Sequence, residues 1–200
     1  YDTFTGFKFM AEKKNALEAA GEGKVIFSYE ESYGYMLGDY VRDKDAVTAS
    51  MLLTEMAAWY AAQGMTLFDA LNALYEKYGY YAEKTHNLVM PGLDGLRDMA
   101  ELMRKLKDEP PAEIAGTEVV VRKDYNDGTV HDCRTGAVTK MELSGSNVLR
   151  FELADGTTIL ARPSGTEPKI KVYILARGTD AADAAANVEK YGAWAEALKG

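Results

Sequence analysis

Residues 162–173 read Arg-Pro-Ser-Gly-Thr-Glu-Pro-Lys-Ile-Lys-Val-Tyr and gather the donors that an anionic cluster of oxygens needs. Arg162 offers a planar, permanently charged fork that matches phosphate oxygens. Ser164 and Thr166 add hydroxyls, and Ser164, Gly165 and Thr166 offer three backbone N–H groups in one tight turn. Successive amides in a turn form a concavity for anions. Gly165 permits close approach of the backbone to a ligand, and Lys171, one strand away, is a second cation. The chemistry is phosphate capture; the alternative is a surface hairpin with a solvated arginine.

A second constellation is Glu30, Glu31, Ser32, Tyr33 and Gly34. It follows an apolar run and so stands at the end of a strand, where α/β folds build their sites. Glu30 and Ser32, two apart on an extended chain, point the same way. A carboxylate with a hydroxyl can accept and donate hydrogen bonds to adjacent sugar hydroxyls; the alternative is an acidic loop in water. The third is Arg42, Asp43, Lys44 and Asp45. Lys44 would be an acid–base aid or a clamp on a transferring phosphoryl group, or these are ordinary alternating charges with Asp45 as a helix N-cap.

Other reactive residues read as structural. His86 and His131 have no partner at metal-ligand spacing. Residues 124–128, Asp-Tyr-Asn-Asp-Gly, lack the distal glutamate of a calcium loop and fit a hairpin turn. Cys133 is the single cysteine, so no internal disulfide forms, in keeping with a reducing, cytoplasmic setting. It has no zinc-type neighbours.

The elements that must position these groups follow from periodicity and breakers. Helix formers fill 7–20 before Gly21, and 24–29 reads as a buried strand. Residues 30–45 read as a loop. A helix over 45–63 carries Ala46, Ala49, Leu52, Leu53, Met56, Trp59 and Tyr60 at helical spacing, which predicts one buried face. Thr66 and Asp69 predict a capping box for a helix whose stripe is Leu67, Ala70, Leu71, Leu74 and Tyr78. Beyond Gly79 come a strand over 80–90, a helix over 94–106, and strands over 118–122, 147–153, 157–162 and 169–176. Turn signals at 126–128 and 155–156 mark hairpins, and 180–198 is a closing helix. The fold class is mixed α/β in residues 1–78, then an α+β domain in 79–200 with a largely antiparallel sheet packed by helices.

The charge balance, 23 Lys and Arg against 31 Asp and Glu, argues against non-specific nucleic-acid binding. It leaves room for a small anion held by a local cluster. No apolar run approaches the roughly 20 residues that span a bilayer. The chain opens on Tyr1 rather than Met, as a piece of a longer protein does.

Taken together, residues 30–34, residues 38–45 (Gly-Asp-Tyr-Val-Arg-Asp-Lys-Asp) and residues 162–169 resemble the α-D-phosphohexomutase family, most of all its bacterial phosphoglucomutase branch. Residues 5–9, Thr-Gly-Phe-Lys-Phe, match a segment of that family's third domain. The resemblance implies an incomplete third domain followed by the fourth. It implies Glu30 and Ser32 as sugar-hydroxyl ligands and Lys44 as an active-site lysine near the transferring phosphoryl group. It also implies Arg162, Ser164, Gly165 and Thr166 as the phosphate loop, with Lys171 where some relatives carry a phosphate-contacting arginine. The implied reaction interconverts glucose 1-phosphate and glucose 6-phosphate through a phosphoserine enzyme and a bisphosphate intermediate. The phosphoserine and Mg2+ loops find no match here, so the chain by itself is expected to hold no metal or cofactor and to be inactive. Its implied partners are a phosphosugar and the missing N-terminal domains. Phosphomannomutase or bifunctional activity, a stand-alone phosphosugar-binding module and an interaction domain remain as alternatives.

Overall fold

Helix α1 (Phe7–Ala20) ends where Gly21 turns left-handed, at φ 70°, and the Glu22 amide reaches back to the Leu17 carbonyl. Glycine takes that conformation without a Cβ penalty. The computed structural model describes residues 1–30 and 33–199 of the 200-residue chain. Its contacts divide the chain into two units, Tyr1–Ala73 and Leu74–Gly200, with the division inside a helix.

In the first unit, α1 buries Phe7, Ala11, Lys14 and Leu17. Strands β1 (Phe27–Tyr29) and β2 (Tyr35–Leu37) form a two-stranded antiparallel hairpin with Ser28 opposite Met36. The buried strand expected over 24–29 is therefore shorter, and Ile26, Phe27 and Tyr29 are exposed. β2 supplies the buried member, Met36. It lies inside the segment read as loop, because three residues between Gly34 and Gly38 are too few to show a period.

Helix α2 (Ala46–Ala61) is capped by Asp45, whose carboxylate accepts from the Val47 amide at 3.0 Å and the Thr48 amide at 3.2 Å. Its expected buried face is only half-covered. Ala49, Leu52 and Tyr60 are half-buried, whereas Ala46, Leu53, Met56 and Trp59 are exposed. Apolar residues run round the whole helix, and the described neighbours cover one side of it. Helix α3 (Leu67–Tyr78) starts with the expected reciprocal box: Thr66 N–H donates to Asp69 Oδ2 at 2.8 Å and Asp69 N–H to Thr66 Oγ1 at 3.1 Å. Of its expected stripe only Ala70 is buried; Leu71, Leu74 and Tyr78 are exposed.

The second unit is built on an eight-stranded antiparallel sheet. Its strands are β3 (Tyr80–Val89), β4 (Glu113–Ile114), β5 (Thr117–Asp124), β6 (Thr129–Asp132), β7 (Val138–Lys140), β8 (Leu149–Leu153), β9 (Thr158–Pro163) and β10 (Lys169–Gly178). The order is β3-β10-β9-β8-β5-β6-β7, with β4 beside β5. Helices α4 (Gly95–Asp108) and α5 (Ala181–Ala197) pack on it. The alternation in β9 and β10 sends Ile159, Ala161, Ile170, Val172 and Ile174 into the core. Each buried large aliphatic contributes about 1.5–3 kcal/mol relative to exposure. The same alternation turns Arg162 and Lys171 to the other face. The five strands read from the sequence are found here as β3, β5, β8, β9 and β10; β4, β6 and β7 are short and were not expected.

Candidate functional site

The hairpin that joins β9 to β10 carries the anion-binding candidates. Its register sets Arg162 directly opposite Lys171, and Lys171 opposite Asn87 of β3. Like charges directly opposite one another on a sheet are destabilising, so this pair is not explained by the stability of the fold. Neither cation has an ion pair or side-chain hydrogen bond among the described residues. Glu167, in the same turn, is paired with Lys169, which with a smaller effect from the charge of Lys171 holds its carboxyl below the ordinary range.

The turn itself is fixed from both sides. Ser164 N–H donates to the Lys169 carbonyl at 2.8 Å, and Met90 N–H to the Pro168 carbonyl at 2.8 Å. Gly95, at the start of α4, lies so close to the Met90 carbonyl that a Cβ would collide with it. Ser164 Oγ lies 3.5 Å from Thr166 Oγ1 and 3.4 Å from the Thr166 amide. Three free amides were expected in this turn. The Ser164 amide is already used to close the hairpin, which leaves those of Gly165 and, more loosely, Thr166. A Cβ on Gly165 would meet no atom within 4 Å, so open space adjoins these donors.

In the first unit, Glu30 and Lys44 come together around a glycine. A Cβ on Gly34 would lie 3.1 Å from Glu30 Oε2, 3.3 Å from Lys44 Cδ and 2.6 Å from a ring carbon of Phe7. Glu30 N–H closes the loop onto the Gly34 carbonyl at 2.9 Å. Lys44 Nζ stands 5.3 Å from the centroid of the Phe7 ring, within cation–π range, and 3.6 Å from Asp43 Oδ1. Sequence reading paired Glu30 with Ser32; Glu31 and Ser32 lie outside the described residues. It did not foresee Phe7 beside Lys44, or Asn87 beside Lys171, since neither contact exists before the elements pack. A cavity of about 500 Å3 opens next to Glu30, lined also by Phe4, Thr5, Lys13, Phe27 and Tyr29.

Asp45 next to Lys44 is the predicted N-cap. Hydrogen bonds from the Tyr40 hydroxyl, then the Thr48 hydroxyl, then the Val47 amide hold its carboxyl at about 2, below the ordinary 3.8. A depressed carboxyl contributes stability above its unfolded value and loses it as pH falls through the folded one. The first turn of α2 is therefore expected to stay capped above pH about 4 and to fray between about 4 and 2. Amide exchange at Val47 and Thr48 measures this, and Asp45→Asn should abolish the pH dependence.

The other reactive residues have local duties. His86 Nδ1 lies 2.9 Å from Glu196 Oε1 on α5, and His131 Nδ1 lies 3.3 Å from Arg122. Asp124 caps its own turn by accepting from the Asn126 amide, and Lys107 pairs with Asp124 and Asp127. Cys133 is exposed. Among the described residues no group of three or more His, Cys, Asp or Glu is placed to hold a metal ion. No described helix is long and apolar enough to cross a membrane.

Comparison with known proteins gives two family matches. Residues 1–78 match the model described as phosphoglucomutase/phosphomannomutase, alpha/beta/alpha domain III. Residues 94–189 match the C-terminal domain of the same family. The chain is similar to phosphoglucomutase of Staphylococcus aureus strain bovine RF122 / ET3-1, with 36% identity over 86% of this chain and 31% of the relative. Against the phosphoglucomutase of strain N315 the figures are 35%, 94% and 33%. The chain thus spans about a third of the length of these curated relatives. The crystal structure of pp63/parafusin from Paramecium, in its open form, shares the fold, with a TM-score of 0.62 at 18% identity, over 98% of this chain and 32% of that one.

Proposed function

The chain belongs to the phosphoglucomutase/phosphomannomutase family, and on that premise we propose that it is the sugar-recognising and phosphate-gripping portion of a phosphoglucomutase. The whole enzyme would interconvert glucose 1-phosphate and glucose 6-phosphate through a phosphoserine and a bisphosphate intermediate, in the cytoplasm. Arg162 and Lys171 neutralise the phosphate already on the sugar, with Ser164, Gly165 and Thr166 donating hydrogen bonds to its oxygens. Glu30 accepts from sugar hydroxyls, alongside Ser32. Lys44 lies near the transferring phosphoryl group, where a fixed cation favours the developing charge. The phosphoserine and the Mg2+ ligands belong to residues outside this chain, and no step here runs through the metal.

One observation carries this reading: two cations held opposite each other with no ion pair or side-chain hydrogen bond among the described residues. An anion between them removes the repulsion that the sheet otherwise bears. The test is a calorimetric and NMR titration of the chain with inorganic phosphate, glucose and glucose 6-phosphate. Phosphate should shift amides at 162–171, and glucose 6-phosphate should bind more tightly than phosphate. A coupled assay should detect no mutase turnover by the chain alone. No response to phosphate at the hairpin would sink the reading, and turnover would refute the division of labour.

A further inference from the structure

Lys14 is the one charged side chain buried among the described residues, at 1% exposure, on the face of α1 that also buries Phe7, Ala11 and Leu17. An ammonium taken out of water is costly unless its donors are met. Two of its N–H groups donate here, to the Val25 carbonyl at 2.9 Å and the Gly38 carbonyl at 2.8 Å, and its charge is paired with Glu18 Oε1 at 3.4 Å. Val25 lies just before β1 and Gly38 just after β2. The ammonium therefore fastens together the open end of the hairpin whose closed end carries Glu30 and Gly34.

Glu18 extends the fastening. Its other oxygen takes Arg42 at 2.8 Å. Arg42 also donates through Nε to Asn15 Oδ1 at 2.9 Å and through a terminal nitrogen to the Asp39 carbonyl at 3.2 Å. Arg42 precedes Lys44 by two residues. One face of α1 thus holds the two main-chain segments that deliver Glu30 and Lys44 to Gly34. An apolar side chain would fill the Lys14 site without desolvating a charge but would leave the Val25 and Gly38 carbonyls without this donor, and a buried ion pair is weak evidence of a stabilising role.

We propose that Lys14, Glu18 and Arg42 form a positioning clamp that sets the separation of Glu30 and Lys44, and with it the preference for a sugar phosphate over bare phosphate. The inference rests on the reading of Glu30 and Lys44 as substrate-facing groups. Lys14→Met keeps the length of the stem and deletes the ammonium. In the whole chain, well below its melting temperature, this variant should bind glucose 6-phosphate about tenfold more weakly. Its affinity for inorganic phosphate should stay within about twofold, a split that a uniform loss of stability would not produce. The Glu30 amide should also exchange faster, while amides of β10 keep their rates. Glu18→Gln and Arg42→Gln should move both readouts the same way by less. If the Lys14 variant keeps the wild-type preference and Glu30 exchange rate, the clamp is wrong. If it fails to fold, the Glu18 and Arg42 variants decide, and wild-type behaviour in both overturns the proposal. Should the wild-type chain show no preference for the sugar phosphate, the substrate reading falls instead. Glu30 exchange in the variants then still decides whether the clamp exists.

Discussion

Arg162→Ala is expected to weaken phosphate binding by on the order of 2 kcal/mol, about thirtyfold, without lowering the melting temperature. The two halves of this expectation have one origin. Arg162 faces Lys171 across the β9–β10 ladder, and neither has an ion pair or side-chain hydrogen bond among the described residues. Bound phosphate gains a charge-assisted fork from Arg162. The unliganded sheet gains nothing from it and bears a like-charge pair. Truncation should therefore cost affinity and relieve repulsion. Arg162→Lys should recover part of the affinity, since it restores the charge but not the planar two-donor geometry. Calorimetric titration with inorganic phosphate and a thermal melt of the same sample measure both quantities. Unchanged affinity would remove the hairpin from the site, and a large drop in melting temperature would show that Arg162 serves the fold.

Gly34→Ala should be the most damaging single-atom addition in the first unit. The new Cβ would stand 2.6 Å from the Phe7 ring, closer than carbon atoms tolerate. Phe7 is only 5% exposed, so it has nowhere to go. Overpacking of this kind costs about 1–3 kcal/mol. Glu30 and Lys44 border the same point at 3.1 and 3.3 Å and are the freer groups, so they should be driven apart. Glucose 6-phosphate affinity is expected to fall about tenfold or more, while inorganic phosphate still binds the hairpin. Phe7→Leu in the same background makes room, and recovery of the sugar-phosphate preference in the double variant would identify the clash as the cause. A Gly34→Ala chain with wild-type preference would show that this convergence does not matter to binding.

The second unit was largely legible in the sequence. Its long strands are buried on one face only, so alternation survives in residues such as Ile170 to Ile174 and turn signals fall between strands. Three short strands escaped because Val138–Lys140 and its like are too brief and too polar to show a period. The first unit was harder. Helical spacing located α2, α3 and the Thr66–Asp69 box, but spacing reports which residues could be buried, not what covers them. Leu53, Met56, Trp59 and Leu74 stay exposed for that reason.

The candidate site divided in the same way. The residue types of the hairpin and of the Glu30 loop announce their chemistry in one dimension. The opposition of Arg162 to Lys171, the use of the Ser164 amide within the turn, and the meeting of Phe7, Glu30 and Lys44 at Gly34 depend on register and packing. No linear pattern contains them. Lys14 looked like any lysine in a helix rich in Lys and Glu, and only its 1% exposure sets it apart.

Gly165 has a backbone that asks nothing of glycine and a surrounding that forbids nothing larger: its φ lies outside the left-handed region and no atom comes within 4 Å of a Cβ. Natural selection acting through folding would let this position drift among small residues. On the proposed reading, any restraint on this position would come from the bound phosphate, so tolerance at position 165 would record the demands of the ligand apart from those of the scaffold.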